Sequence, residues 1–150
     1  MSVVQVAAGA DRFGETRGLG ISTIQFKVTP EDMDGILILE NTFHAKGGPP
    51  KHLHLAQDEW FYCLEGEFVL EVGDQRFQLK PGDSVVAPRQ IPHVWAHLGD
   101  HIGRMLITFS PAGQMEAFFR EVNKANAMPP QTPELWSAHG MKLLGPPLQV

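Results

Sequence analysis

The feature that most constrains the fold is a series of short apolar segments between about residues 19 and 110. Gly, Pro, Asp and Asn interrupt them at close intervals, as in "ISTIQFKV", "EFVLEV", "DSVVAP" and "RMLITFS". Short, closely spaced apolar segments interrupted by turn-forming residues predict a sandwich or barrel of antiparallel strands. The stretches "EGE", "VGDQ" and "KPGD" between segments are typical of tight turns and predict consecutive hairpins. We therefore expect an all-β fold.

The composition changes after residue 110. "PAGQMEAFFREVNKAN" places Met115, Phe118 and Val122 at helical spacing, which predicts an amphipathic helix. A second, weaker helix is expected in "TPELWSAHG", with Pro133 at its first helical position, followed by the extended tail "KLLGPPLQV". We expect these helices to pack on the barrel. Residues 1–150 would then form a single domain, with the barrel at about 19–110 and a C-terminal segment at 111–150.

Composition excludes several classes of protein. The chain has 150 residues, 43% of them hydrophobic, and a formal charge of −5 without any Lys/Arg cluster longer than a pair, so we expect no nucleic-acid partner. The start resembles no secretory signal and no stretch approaches about 18 apolar residues, so we predict a cytoplasmic protein without a membrane partner. Cys63 is the single cysteine, which excludes an internal disulfide and a multi-thiolate metal site, so any metal ligands are expected among the seven histidines.

The stretch "KHLHLAQDEW" at residues 51–60 carries the most informative spacing. On a strand, His52 and His54 would point to one face, roughly 6 to 7 Å apart. Glu59 follows five residues later at the start of another apolar segment. His93 in "APRQIPHVWAH" opens a further segment and can face the same interior. Three imidazoles and one carboxylate would then surround one ion.

This ligand set suits a single divalent transition metal: iron, manganese, nickel, cobalt, copper or zinc. The sequence does not select among them. Four protein ligands on an ion that prefers six leave two positions for water, dioxygen or a chelating substrate. The alternative is a barrel that holds no metal and shelters an apolar ligand.

Both histidine segments resemble the two motifs of the cupin superfamily. The first motif is matched by His52, His54, Glu59 and Gly66, and the second by Gly82, Pro88 and His93. Three positions depart from the motifs, since glycine is usual at Lys46 and at Gln90, and asparagine is usual at His97. Beyond the motifs, most of the chain is similar to small single-domain cupins that resemble quercetin dioxygenase.

The resemblance implies a cupin-type β-barrel, a jelly-roll-like double-stranded β-helix, with metal ligands His52, His54, Glu59 and His93. It also implies a small-molecule substrate and a metal-dependent dioxygenase, in which Glu59 would be the catalytic base. Such cupins include non-catalytic binding or sensing proteins and metal-assisted isomerases, and these two alternatives stay open. We further expect a homodimer that buries exposed apolar strands near the N-terminus.

Side chains alternate between the two faces of a strand, and this alternation, here called strand parity, also predicts the wall of the substrate pocket. The side chains expected to bind the substrate by this criterion are Phe43, Phe61, Trp95, Met105 and Ile107. Alternatively, these side chains simply fill the barrel. His97 shares the face of His93, so it either forms hydrogen bonds in the pocket or is an ordinary buried histidine.

Overall fold

Strands dominate the computed structural model, which describes residues 2–150. They account for 42% of the chain and helices for 11%. The strands of the described residues are β1 (Arg17–Leu19), β2 (Ser22–Val28), β3 (Leu37–Phe43), β4 (Lys51–His54), β5 (Asp58–Glu65), β6 (Phe68–Val72), β7 (Gln75–Leu79), β8 (Ser84–Ala87), β9 (His93–His97), β10 (Gly103–Ser110) and β11 (Met141–Gly145).

The strands form two antiparallel sheets. One has six strands in the order β1-β2-β3-β10-β5-β8, and the other has five in the order β11-β4-β9-β6-β7. Aromatic contacts join the sheets, such as Phe43 with Phe68 at 5.8 Å and Phe61 with Trp95 at 5.5 Å between ring centroids. The apolar core therefore lies between the sheets, and the prediction of an all-β fold is confirmed.

Helices are few and lie near the C-terminus, as predicted. Helix α1 (Met115–Val122) continues into a short 3₁₀ turn (Asn123–Ala125), and α2 (Pro133–Ser137) begins at the predicted proline. Each helix buries its apolar side chains in the core. None of the helices within residues 2–150 is long and apolar enough to cross a membrane.

The C-terminal tail returns to the barrel as a strand. We expected extended chain there, and the structure shows that β11 pairs with β4, with Met141 opposite His54 and Leu143 opposite His52. This pairing places the end of the C-terminal segment beside the strand that carries two of the candidate ligands.

Candidate metal centre

Three strands bring the histidine and glutamate side chains together. His52 on β4 pairs directly with His93 on β9, and His54 lies two residues further along β4. Glu59 lies on β5 in the other sheet and reaches across the interior. All four side chains are buried, and their potential ligand atoms lie within 4.8 Å of one another. The cluster is thus assembled from both sheets.

The spacing within the cluster is that of neighbouring ligands on one ion. Oε1 of Glu59 lies 2.9 Å from Nε2 of His54 and 3.0 Å from Nε2 of His93. Two ligand atoms about 2.1 Å from a common ion and at right angles to each other would be about 3.0 Å apart. The measured separations therefore suit adjacent positions around an octahedral metal.

Hydrogen bonds to backbone carbonyls orient two of the imidazoles. Nδ1 of His52 donates to the Pro50 carbonyl at 2.8 Å, and Nδ1 of His93 lies 3.4 Å from the Ile91 carbonyl. Because a carbonyl only accepts, the hydrogen of His52 must be on Nδ1, and this tautomer leaves its Nε2 lone pair available to a metal. Nε2 of His93 faces Oε1 of Glu59 at 3.0 Å, and with its hydrogen on Nδ1 this ring would present its Nε2 lone pair to a metal as well.

His54 provides an independent test of whether a metal fits. Nε2 of His54 lies 2.9 Å from Oε1 of Glu59, but the angle between the two groups is unsuitable for a hydrogen bond. Within the described residues, both ring nitrogens of His54 are therefore buried without a hydrogen-bond partner. A buried nitrogen without a partner is costly, and native structures rarely leave one unexplained. An ion within the cluster would satisfy Nε2, so the residues present fit a divalent transition metal.

Burial and mutual charge shift the protonation equilibria of the cluster. Burial lowers the pKa of His52 to about 3, with smaller electrostatic contributions from the neighbouring imidazoles of His93 and His54. Burial alone would raise the pKa of Glu59, but close contact with His54 and His93 outweighs it and holds that pKa well below its usual range. His52 is therefore neutral and Glu59 ionised at neutral pH, which are the protonation states that metal binding requires.

We expect the metal-free protein to lose stability as the pH falls below about 6.5. Unfolded His52 titrates near 6.5 and folded His52 near 3, so between these values the unfolded chain binds more protons. This difference lowers the free energy of unfolding by up to about 1.4 kcal/mol per pH unit. Urea denaturation with a chelator from pH 7 to 4.5 would measure it. The slope should be shallower in His52→Gln but unchanged in His101→Gln, and equal slopes in all three proteins would contradict the assignment.

A narrow apolar cavity opens onto the cluster. Its volume is about 50 Å³, room for a few water molecules or a small organic group, and His52, His54 and Glu59 are part of its wall. Of the predicted substrate-binding residues, Phe43, Trp95 and Ile107 line the cavity. Their contact with a substrate stays a prediction.

The other three predicted wall residues lie elsewhere. Phe61 and Met105 are fully buried in the core and are not part of the cavity wall. Strand parity identified their inward face correctly, but other side chains separate them from the cavity. Phe61, for example, packs between the rings of His93 and Trp95.

His97 is also buried outside the cavity wall. Its Nδ1 lies 3.0 Å from the Ala45 carbonyl, and its ring packs against Phe43 and Phe68. A Cβ atom on Gly103 would lie 2.3 Å from this ring, so the glycine makes room for it. The position favours a buried histidine that holds the loop at residue 45, rather than a group that contacts the substrate.

The C-terminal segment supplies much of the wall, which strand parity did not predict. Seven of its residues line the cavity: Met115, Phe118, Phe119, Met128, Pro129, Trp136 and Met141. The Trp136 ring lies 4.9 Å from the His52 ring, and its Nε1 donates to the Pro130 carbonyl at 2.8 Å. Helical spacing indicated an apolar face on α1, but no local pattern indicated what that face covers.

Comparison with known proteins identifies the family. Residues 40–109 match the cupin domain family. Over 91 residues the chain is 34% identical to quercetin 2,3-dioxygenase of Bacillus subtilis. The family match, this relative and the fold together support a small protein of the cupin superfamily. The aligned part is 60% of this cupin but only 26% of the dioxygenase, so the chain spans about a quarter of the length of that relative.

Solved structures agree on the cupin fold. An RmlC-like cupin from Shewanella frigidimarina superposes with a TM-score of 0.59 at 24% identity, covering 76% of this chain and 96% of that one. KdgF from Halomonas sp. superposes with a TM-score of 0.60 at 20% identity, covering 73% and 94% respectively. At these identities the similarity concerns the fold alone. The geometry above adds a candidate His/His/Glu/His metal site to this fold.

Gln90 shows how this cupin accommodates one departure from the second motif. Its φ of 66° lies in the left-handed region, where glycine is favoured and a glutamine is uncommon. Its backbone nitrogen donates to the His54 carbonyl at 2.6 Å, and its side chain donates to the Leu55 carbonyl at 3.3 Å. These bonds tie the loop before His93 to the end of β4. The glutamine thereby holds two strands of the cluster together.

Proposed function

We propose that this cupin binds one divalent transition metal at His52, His54, Glu59 and His93 and acts as a dioxygenase on a small organic substrate, similar to quercetin dioxygenase. The observation that carries the proposal is a buried ligand cluster at the base of an apolar cavity. Small-molecule sites commonly combine an apolar wall with a few convergent polar groups. The name of the Bacillus subtilis relative supports the reaction class.

In the proposed reaction each part of the site has a separate task. The apolar wall excludes water and holds the substrate with one of its oxygens towards the cluster. Glu59, which is buried and is part of the cavity wall, accepts the proton of that substrate hydroxyl. When bound, a divalent transition metal would act as a Lewis acid on the substrate oxygen and supply the electron-transfer chemistry that dioxygen needs.

The composition of the wall bears on the two alternatives. Besides the cluster, no lining residue of the described chain carries an acid or a base. A metal-assisted isomerase would need an additional base, so the wall favours the oxygenase over the isomerase. A binding or sensing protein needs affinity for its ligand but no turnover. The oxygen-uptake experiment below distinguishes it from the oxygenase.

The test is oxygen uptake by protein loaded with one metal at a time. Metal-free protein would be reconstituted separately with iron, manganese, cobalt, nickel and copper, and uptake followed with catechols, β-diketones and flavonols. We expect metal-dependent uptake, faster with catechols and β-diketones because the cavity is narrow. Tight binding without turnover for every metal would instead indicate a binding protein. Product formation under strict anaerobiosis would indicate an isomerase.

We also propose that two copies pair through a sheet edge. The strands near the N-terminus, β1 and β2, have no exposed residue, so they are not the expected apolar surface. Exposed apolar side chains lie instead at the edge strand β8 and just after it, where Val86 is 54% and Ile91 38% exposed. Pairing there would bury both. Light scattering at micromolar concentration should give twice the mass of one chain, and a monomeric mass would refute the dimer.

A further inference from the structure

Asn41 is an unusual residue in the cavity wall. It lies on β3, is buried, and shares the inward face of that strand with Phe43. Outside the metal cluster, its carbonyl oxygen is the one strong hydrogen-bond acceptor that a lining side chain of the described residues offers. All other lining residues are apolar or aromatic. A single amide on such a wall requires an explanation, because an amide carbonyl that faces an apolar cavity without a hydrogen-bond partner is unfavourable.

The orientation of this amide follows from its one hydrogen bond. Nδ2 of Asn41 donates to the Thr23 carbonyl at 3.0 Å. Because that carbonyl accepts and cannot donate, the nitrogen must face β2 and the two ends of the amide cannot be exchanged. Oδ1 accepts no hydrogen bond from any residue between 2 and 150. It is nevertheless absent from the fully buried polar atoms that lack a partner, so part of its surface is open. The carbonyl oxygen is therefore held in one orientation and is accessible to a molecule in the cavity.

The strand register separates Asn41 from the metal ligands. Asn41 pairs with Met105 on β10, which pairs with Cys63 on β5, four residues from Glu59. The two positions are thus two strands apart and roughly 13 Å apart along the strand direction. Both nevertheless line the same cavity. A molecule that contacts both must extend along the cavity, with polar groups at its two ends.

We propose that Asn41 determines substrate specificity by accepting a hydrogen bond from a hydroxyl at the far end of the substrate. The substrate class is then a largely apolar compound with a chelating oxygen at one end and a hydroxyl donor at the other. A substrate without that hydroxyl leaves the Asn41 carbonyl desolvated and unpaired, which lowers its affinity. The inference rests on the proposed small-molecule site and identifies the ligand it selects.

Two matched pairs of chelators test the proposal at different lengths. Kojic acid and allomaltol differ by one hydroxyl on a short molecule, and 3,4′-dihydroxyflavone and 3-hydroxyflavone differ by one on a longer molecule. Titration calorimetry with zinc-loaded protein measures affinity without turnover. We expect the hydroxylated member of at least one pair to bind about 3- to 10-fold more tightly, the range for one hydrogen bond. Asn41→Leu, which removes the amide at similar volume, should abolish this preference.

The matched control is the next residue on the same strand. Thr42 faces the opposite side of β3 and is half-buried, so Thr42→Val should retain the preference. Asn41→Ala provides a second variant if Asn41→Leu does not fold, as judged by circular dichroism. A preference that survives loss of the amide, or no preference in either pair of the unaltered protein, would overturn the role of Asn41 alone. Failure of metal-loaded protein to bind any of the four chelators would overturn the proposed function as well.

Discussion

Replacing His93 with alanine should abolish stoichiometric metal binding and leave a folded barrel. The substitution removes one of four ligand side chains, and the remaining three cannot enclose an ion equally well. The affinity should fall by more than the roughly 10- to 100-fold that accompanies loss of an outer hydrogen bond to a metal ligand. Elemental analysis after dialysis measures the metal, and circular dichroism measures the fold. His52→Ala should behave in the same way.

The control for this experiment lies on the same strand. His97 is as deeply buried as His93 and four residues away on β9, but it is outside the cluster. His97→Ala should keep its metal, which would show that the cluster matters and not the loss of any buried imidazole. One metal ion per chain in either His52→Ala or His93→Ala would refute the ligand assignment.

Changing Glu59 to glutamine should reduce turnover by on the order of 10² to 10⁴, the usual range for loss of a general base. Glutamine retains an oxygen that can face a metal but cannot accept a proton as a carboxylate does. The metal affinity should also weaken, because a charged ligand becomes neutral. Oxygen uptake must therefore be measured at saturating metal, which separates the loss of a base from the loss of the ion.

Glu40 provides a matched carboxylate outside the cavity. It is largely buried, and it forms a salt bridge with Arg104 at 3.0 Å. Glu40→Gln should leave turnover at saturating metal unchanged, although it removes a carboxylate from β3 in the same sheet as Glu59. Full activity of metal-saturated Glu59→Gln would show that Glu59 has no role in proton transfer.

Much of the fold could be predicted because its determinants are local. Alternating apolar residues and turn-forming glycines and prolines are properties of neighbouring residues, so they indicated strands in nearly the places where the structure has them. The partner of the C-terminal tail could not be predicted in this way. Pairing of β11 with β4 joins segments about ninety residues apart, and no periodicity within either segment specifies the other.

The candidate site could likewise be predicted only where its determinants are local. His52 and His54 share one strand, so their spacing alone predicted a common direction. Glu59 and His93 were added because each could face the same interior, and their place in the motifs agreed. Parity also identified Phe43, Trp95 and Ile107 as inward-facing. It could not distinguish them from Phe61 and Met105, because parity specifies a face of the sheet and not the depth of a side chain in the barrel.

The sequence by itself determined the strand class, the residues able to ligate a metal, and the amphipathic character of α1. Each depends on the chemistry and spacing of residues that are close in the chain. Only the tertiary structure decided that Trp136 packs on His52, that the C-terminal segment lines the cavity, and that Asn41 is part of the same wall. These features depend on contacts between distant segments, which form when both sheets and the helices bury their apolar faces against one another.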